Sequence, residues 1–180
     1  MKPVYFISIV VFSAFFSCKS ASSKVTDEQI QALERLVENK NFNIESTWAY
    51  PQTTMALQQV LNAGLLQPGN SPGAINLIGN SNFLKISGDS ITSFLPYFGE
   101  RQMNVGYGGT DSAIQLLGTI ENYTTRKGKQ HSYTISCDAK SKTEHFRIII
   151  KLYPNLKSNT TVLGTSRNAI TYSGQVKSLN

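Results

Sequence analysis

The 180-residue sequence is poor in the side chains from which most catalytic and metal centres are built. Its two histidines, His131 and His145, and two cysteines, Cys18 and Cys137, show no ligand spacing, so a zinc-type centre has no donor set. Acidic residues number 11 against 17 lysines and arginines, and Asp27, Glu28, Glu34 and Glu38 all fall in one short segment. Paired carboxylates converging on a cleft are therefore hard to assemble. No serine lies in a G-x-S-x-G elbow, and Gly106-Tyr107-Gly108-Gly109 lacks the Lys-Ser/Thr end of a phosphate loop. The expectation is a protein that is not an enzyme and uses no metal or cofactor. A net charge of +6 and a pI near 9.3 permit attraction to anionic surfaces. The basic residues are scattered, however, and the nearest cluster, Arg126-Lys127-Gly128-Lys129, reads as a solvated hairpin tip. No nucleic-acid partner is expected.

Long apolar runs are also missing, apart from MKPVYFISIVVFSAFFSC at residues 1–18. That stretch is short of the roughly 20 residues a membrane helix needs. Basic Lys2, the apolar run that follows and small Ser17 match the parts of an export signal. Ala14-Phe15-Phe16-Ser17-Cys18 resembles a bacterial lipobox, which implies a signal peptide over 1–17 and lipid on Cys18. Polar Lys19-Ser20-Ala21-Ser22-Ser23-Lys24 reads as a flexible tether, so 18–25 leads from the lipid to a single β-rich domain at 26–180. The membrane partner is then reached through Cys18. Cys137 is left without a cysteine to pair with, and its place in an alternating strand makes it inert packing.

Two periodicities divide what remains. Thr26-Asp27-Glu28-Gln29 fits a capping box, with Val25 and Ile30 at the staple positions. Ile30, Leu33, Leu36 and Val37 follow at helical spacing, predicting an amphipathic helix to about Lys40. The period then becomes two. Phe42, Ile44, Trp48 and Tyr50 are expected on one face of a strand that ends at Pro51. Residues 54–66 suggest a short helix that fails at Gly64, and strands resume at 74–78, 82–87 and 90–95, with Gly88-Asp89 as a tight turn. Inward Ile114, Leu116, Gly118 and Ile120 define the next strand. His131, Tyr133, Ile135 and Cys137 define another, and Phe146, Ile148, Ile150 and Leu152 a third. Two more strands lie near 159–164 and 169–177. One apolar and one polar face per strand means antiparallel sheet. The fold class expected is α+β, mainly β: an amphipathic helix packed on a meander of about eight strands, sandwich or barrel-like. A turn at 140–143 would set Cys137 opposite Phe146 and Asp138 opposite His145.

The long segment 96–112 carries the candidate binding residues, Tyr97, Phe98 and Tyr107. Their rings either stack on a ligand or fold back to plug the open end of the sheet.

These features converge on a resemblance. Ala32-Leu33-Glu34-Arg35-Leu36-Val37, Trp48-Ala49-Tyr50-Pro51, GDSITSFLPYFG at 88–99 and Ile170-Thr171-Tyr172-Ser173-Gly174 together resemble the domain-of-unknown-function 4251 family of Bacteroidetes envelope proteins. The resemblance spans about 30–178 and departs at Leu156, where a turn glycine is expected. It implies an envelope address and no known active site. In lipoproteins of this type an acidic run after the lipidated cysteine marks surface export. Lys19-Ser20-Ala21-Ser22 has none, so the periplasmic face of the outer membrane is expected. The leading functional expectation is a non-enzymatic envelope lipoprotein binding an unknown protein or glycan partner. The alternatives are a carbohydrate- or lipid-binding module using the aromatic loop 96–109, and a hydrolase with an unrecognised site.

Overall fold

A computed structural model describes residues 25–60, 63, 68–102, 113–141 and 144–179. The lipobox, Cys18 and Tyr107 lie outside these residues. Helix α1 (Asp27–Asn39) opens with the expected capping box: Thr26 accepts from the Gln29 backbone N–H and the Gln29 side chain accepts from that of Thr26. Asp27 and Glu28 sit in its first turn, where the helix dipole favours negative charge. The helix stops at Lys40, whose φ of 46° turns the chain into β1 (Asn41–Pro51). A short helix α2 (Met55–Val60) follows, then the two-residue β2 (Ile75–Asn76), β3 (Phe83–Ser87) and β4 (Ser90–Pro96). The second half is β5 (Ala113–Lys127), a 3-10 turn at Lys129–His131, β6 (Tyr133–Lys140), β7 (His145–Leu152), β8 (Lys157–Gly164) and β9 (Ile170–Ser178).

Every pairing is antiparallel, and β1 also pairs with β9, so β1 and β3–β9 close an eight-stranded barrel. Strand β2 adds to β1 beyond the point where β3 ends. Closure removes most of the unpaired strand edge that an open meander would expose. The inward residues merge with Leu33, Leu36 and Val37 of α1 into one apolar core.

Three sequence expectations are corrected. Trp48 and Tyr50 do not continue the inward face of Phe42 and Ile44; Ala49 and Pro51 are buried instead, and Tyr50 is 40% exposed. A bulge between Ser46 and Trp48 shifts the pairing with β9 by one residue and reverses the faces. It is held from far away in the chain. The buried Asn82 side chain accepts from the Ser46 N–H at 2.8 Å and donates to the Ser46 carbonyl at 2.9 Å. Across the pair, a side chain at Gly174 would collide with the backbone of Glu45 and Ser46. His131 is exposed rather than inward, because Gln130 and His131 take positive φ and the strand begins only at Tyr133. The β6–β7 faces are as expected, but the register is displaced by two: Cys137 opposes Ile148, Ala139 opposes Phe146, and Asp138 opposes Arg147 rather than His145. The turn comes one residue later than expected because Ser141 and Glu144 close it, the Ser141 N–H bonding the Glu144 carbonyl at 2.9 Å.

Candidate functional site

Pro51, Pro96, Ala113, Phe146, Gly164 and Ile170 mark one end of the barrel, where the strand pairings run out. Residues 97–102 lie across this mouth as a strap. Two backbone bonds stitch it to the β8–β9 loop: the Gln102 N–H donates to the Ser166 carbonyl at 2.9 Å, and the Asn168 N–H to that of Glu100 at 3.1 Å. Arg101 and Arg167 form a single antiparallel bridge between them.

Tyr97 is folded into this mouth and is 8% exposed. Its hydroxyl lies 2.8 Å from the Glu100 carbonyl and 3.0 Å from that of Asn168, which share its one hydrogen. Burial pushes the phenol above its ordinary pKa. Phe98 is half-buried and packs against the core from outside. Below the strap the inner Tyr172 hydroxyl donates to the Pro96 carbonyl at 2.8 Å.

The mouth holds an ion pair that the sequence did not announce. Glu144 and Arg167 keep only 2% and 8% of their side chains exposed, and Arg167 Nη2 lies 2.8 Å from Glu144 Oε2. Glu144 Oε1 accepts from the Ser166 N–H at 3.0 Å. Burial opposes the charge on Glu144, but the hydrogen bonds from Arg167 and Ser166 outweigh it, and the carboxyl titrates below its ordinary value. The guanidinium lies over two rings, 4.8 Å from the centre of Tyr97 and 5.3 Å from that of Phe146. Gly164 leaves the room this pair needs, since a side chain there would meet the Glu144 carboxylate and the Arg167 stem. No sequence signal links residues 22 apart in the chain, as Glu144 and Ser166 are.

The chemistry-bearing residues named from sequence do not converge. Cys137 is buried, and burial raises its thiol to about 12, so it stays a neutral packing group. Asp138 is occupied by Arg147 at 2.9 Å and Asn122 at 2.8 Å on the outer wall, and those bonds hold its carboxyl low. His145 is exposed at the β6–β7 turn opposite Lys140. Among the described residues no group of three His, Cys, Asp or Glu side chains is placed to hold a metal. Nor is any helix among them long and apolar enough to cross a membrane.

A family model described as a domain of unknown function (DUF4251) matches residues 24–176. The chain belongs to the DUF4251 family. A solved DUF4251 family protein from Bacteroides eggerthii DSM 20697 is similar in fold, with a TM-score of 0.55 at 14% identity over 84% of this chain and 88% of that one. No curated protein matches. The GDSITSFLPYFG segment of this DUF4251 chain, the most specific part of the sequence resemblance, contributes β4 and the start of the strap.

Proposed function

We propose that this DUF4251 protein is a non-enzymatic lipoprotein of the cell envelope, held by lipid on Cys18 at the periplasmic face of the outer membrane, whose barrel binds a partner at its strapped end. The observation that carries the reading is the strap. Residues 97–102 are fixed over a buried ion pair and bonded to the 165–168 loop, so this end is a built platform. In this reading Phe98 and Tyr107 make the contact, and Tyr97, with its hydroxyl committed inside, holds the platform in place.

A second reading, a carbohydrate-binding module, draws on the wall just beneath the same end. Tyr50 is exposed there beside Thr171 and Ser173, with its hydroxyl 3.3 Å from Ser173 Oγ. Thr161 continues this uncharged, hydroxyl-bearing surface, its Oγ1 3.0 Å from that of Thr171. An aromatic ring flanked by neutral hydroxyls suits a sugar face.

The test is photocrosslinking in living cells from a reactive residue placed at Phe98, at Tyr107, at Tyr50 and at Lys85 on the barrel wall. Adducts with a protein from positions 98 and 107, but not 85, are expected. Adducts with glycan from position 50 alone would favour the second reading, and equal labelling at every position would overturn both. The anchor is tested separately: Cys18→Ala should abolish lipid labelling and release the protein from the membrane fraction.

A further inference from the structure

At the barrel end opposite the strap, a groove of about 430 Å³ runs between α1 and the last residues of the chain. We propose that this groove binds a single-chain amphiphile with an anionic head, independently of the reading given for the strapped end. Its volume lies within the range of small-molecule sites. Leu36, Leu156 and Leu179 give it apolar surface, and Arg35, Asn39 and Ser178 give it polar surface. Among the described residues Arg35 is the one charged residue lining it, so the site is complementary to a single negative charge. The Arg35 Nε donates to the Gln31 carbonyl at 3.3 Å, which fixes the root of the guanidinium. Among the described residues its two Nη atoms meet no acceptor and remain available as a fork for a carboxylate or phosphate.

An independent observation points to the same place. Leu156 holds a φ of +59°, a conformation that suits glycine in a turn and costs a leucine. The turn is otherwise ordinary, with the Leu156 N–H donating to the Tyr153 carbonyl at 2.9 Å. What leucine adds over glycine is a side chain, which packs in part against the core and leaves Leu156 lining the groove. Leu179 is likewise fixed as a wall: its N–H reaches the Asn41 carbonyl at 3.3 Å, and its own carbonyl accepts from Asn41 Nδ2 at 2.9 Å. An anionic head on Arg35 and an alkyl chain along the three leucines would use both kinds of surface.

The full chain bearing Cys18→Ala, with its leucine methyls labelled for NMR, is titrated with octanoate, octyl phosphate, octylammonium and acetate. Octanoate and octyl phosphate are expected to give saturable shifts at Leu156 and Leu179. The tighter of the two tells whether the head is that of a fatty acid or of a phosphate-bearing lipid. Octylammonium, with the wrong charge, and acetate, with no chain, should give none. Arg35 is exposed, so Arg35→Gln should keep the fold while weakening octanoate about ten-fold, the loss of one charge-assisted hydrogen bond. Leu156→Gly, which relieves the strained turn, should leave a folded barrel that no longer binds. Equal response to octylammonium, unchanged affinity in Arg35→Gln, or no saturable shift at all would overturn the proposal. So would shifts that follow protein concentration instead of ligand, which would assign the groove to a second copy of the chain.

Discussion

At one end of the barrel α1 lays Leu33, Leu36 and Val37 onto the core, and among the described residues its side-chain bonds to the strands run through Glu34, which accepts from Lys127 at 2.8 Å and from the Tyr133 hydroxyl at 3.1 Å. At the other end the strap crosses the mouth over a buried carboxylate and a guanidinium packed against two aromatic rings. Both devices keep water from the same core. The helix does so by apolar burial, which tolerates small shifts of a non-directional contact. The strap relies on desolvated charges and directed hydrogen bonds, which hold one geometry and lose heavily when one member is removed. The strapped end is accordingly the more sharply defined of the two, which suits the contact proposed for it, and the helical end is the more forgiving seal.

The largest predicted effect tests that contrast. Glu144→Ala leaves Arg167 buried without its counter-charge and should cost about 3–5 kcal/mol of unfolding free energy in urea melts. Joint replacement by Glu144→Leu and Arg167→Met should recover most of that loss. A single variant no worse than the double one would mean that the pair does not hold the mouth. The pH dependence has a definite sign. Glu144 titrates below its ordinary 4.5 in the folded protein, so its contribution is complete above that value and is lost as pH falls through the native one. The acid limb of the stability curve should therefore be flatter in Glu144→Gln.

Leu33→Ala, at a fully buried position of α1, should cost about 2–5 kcal/mol by the same melts, the upper part of that range applying if the end cannot collapse on the cavity. Unlike the loss in Glu144→Ala, it should not change with pH. Tyr97→Phe keeps the ring over Arg167 and removes only the shared hydroxyl, at a cost of about 1–3 kcal/mol. Hydrogen exchange at the Gln102 and Asn168 amides should quicken in that variant while exchange in β6 and β7 does not; a uniform change would show that strap and barrel open together. The smallest effect is expected from Thr26→Ala, which removes one side of the capping box and should lower stability by about 1 kcal/mol.

The helical end was open to sequence reading because everything that builds it is local. Capping residues, dipole-matched acids and the apolar stripe of α1 all lie within a few turns of one another, and the helix formed where they placed it. The inward faces of β6, β7 and β9 were legible for the same reason, since alternation along a strand needs no knowledge of its partner. The candidate site was legible only in part. Sequence drew attention to Tyr97 and Phe98, but whether the rings were displayed or turned inward depended on Glu100 and Asn168 carbonyls that the fold brings to the Tyr97 hydroxyl.

Composition and local pattern by themselves determined an antiparallel, mainly β fold with one capping helix, while the family was pointed to by the resemblance of particular segments such as GDSITSFLPYFG. The closing of the meander into a barrel depended on β1 meeting β9, a pairing between residues more than 100 positions apart. The reversal of Trp48 and Tyr50 depended on a bulge clamped by Asn82 and accommodated by Gly174. The β6–β7 register depended on where Ser141 and Glu144 close their turn, with Glu144 held by Arg167 from the neighbouring loop. These outcomes share one physical cause. A period of two fixes which face a side chain takes but is blind to an inserted residue and to a register slip of two. Such choices are made by long-range contacts that exist only once the chain has folded.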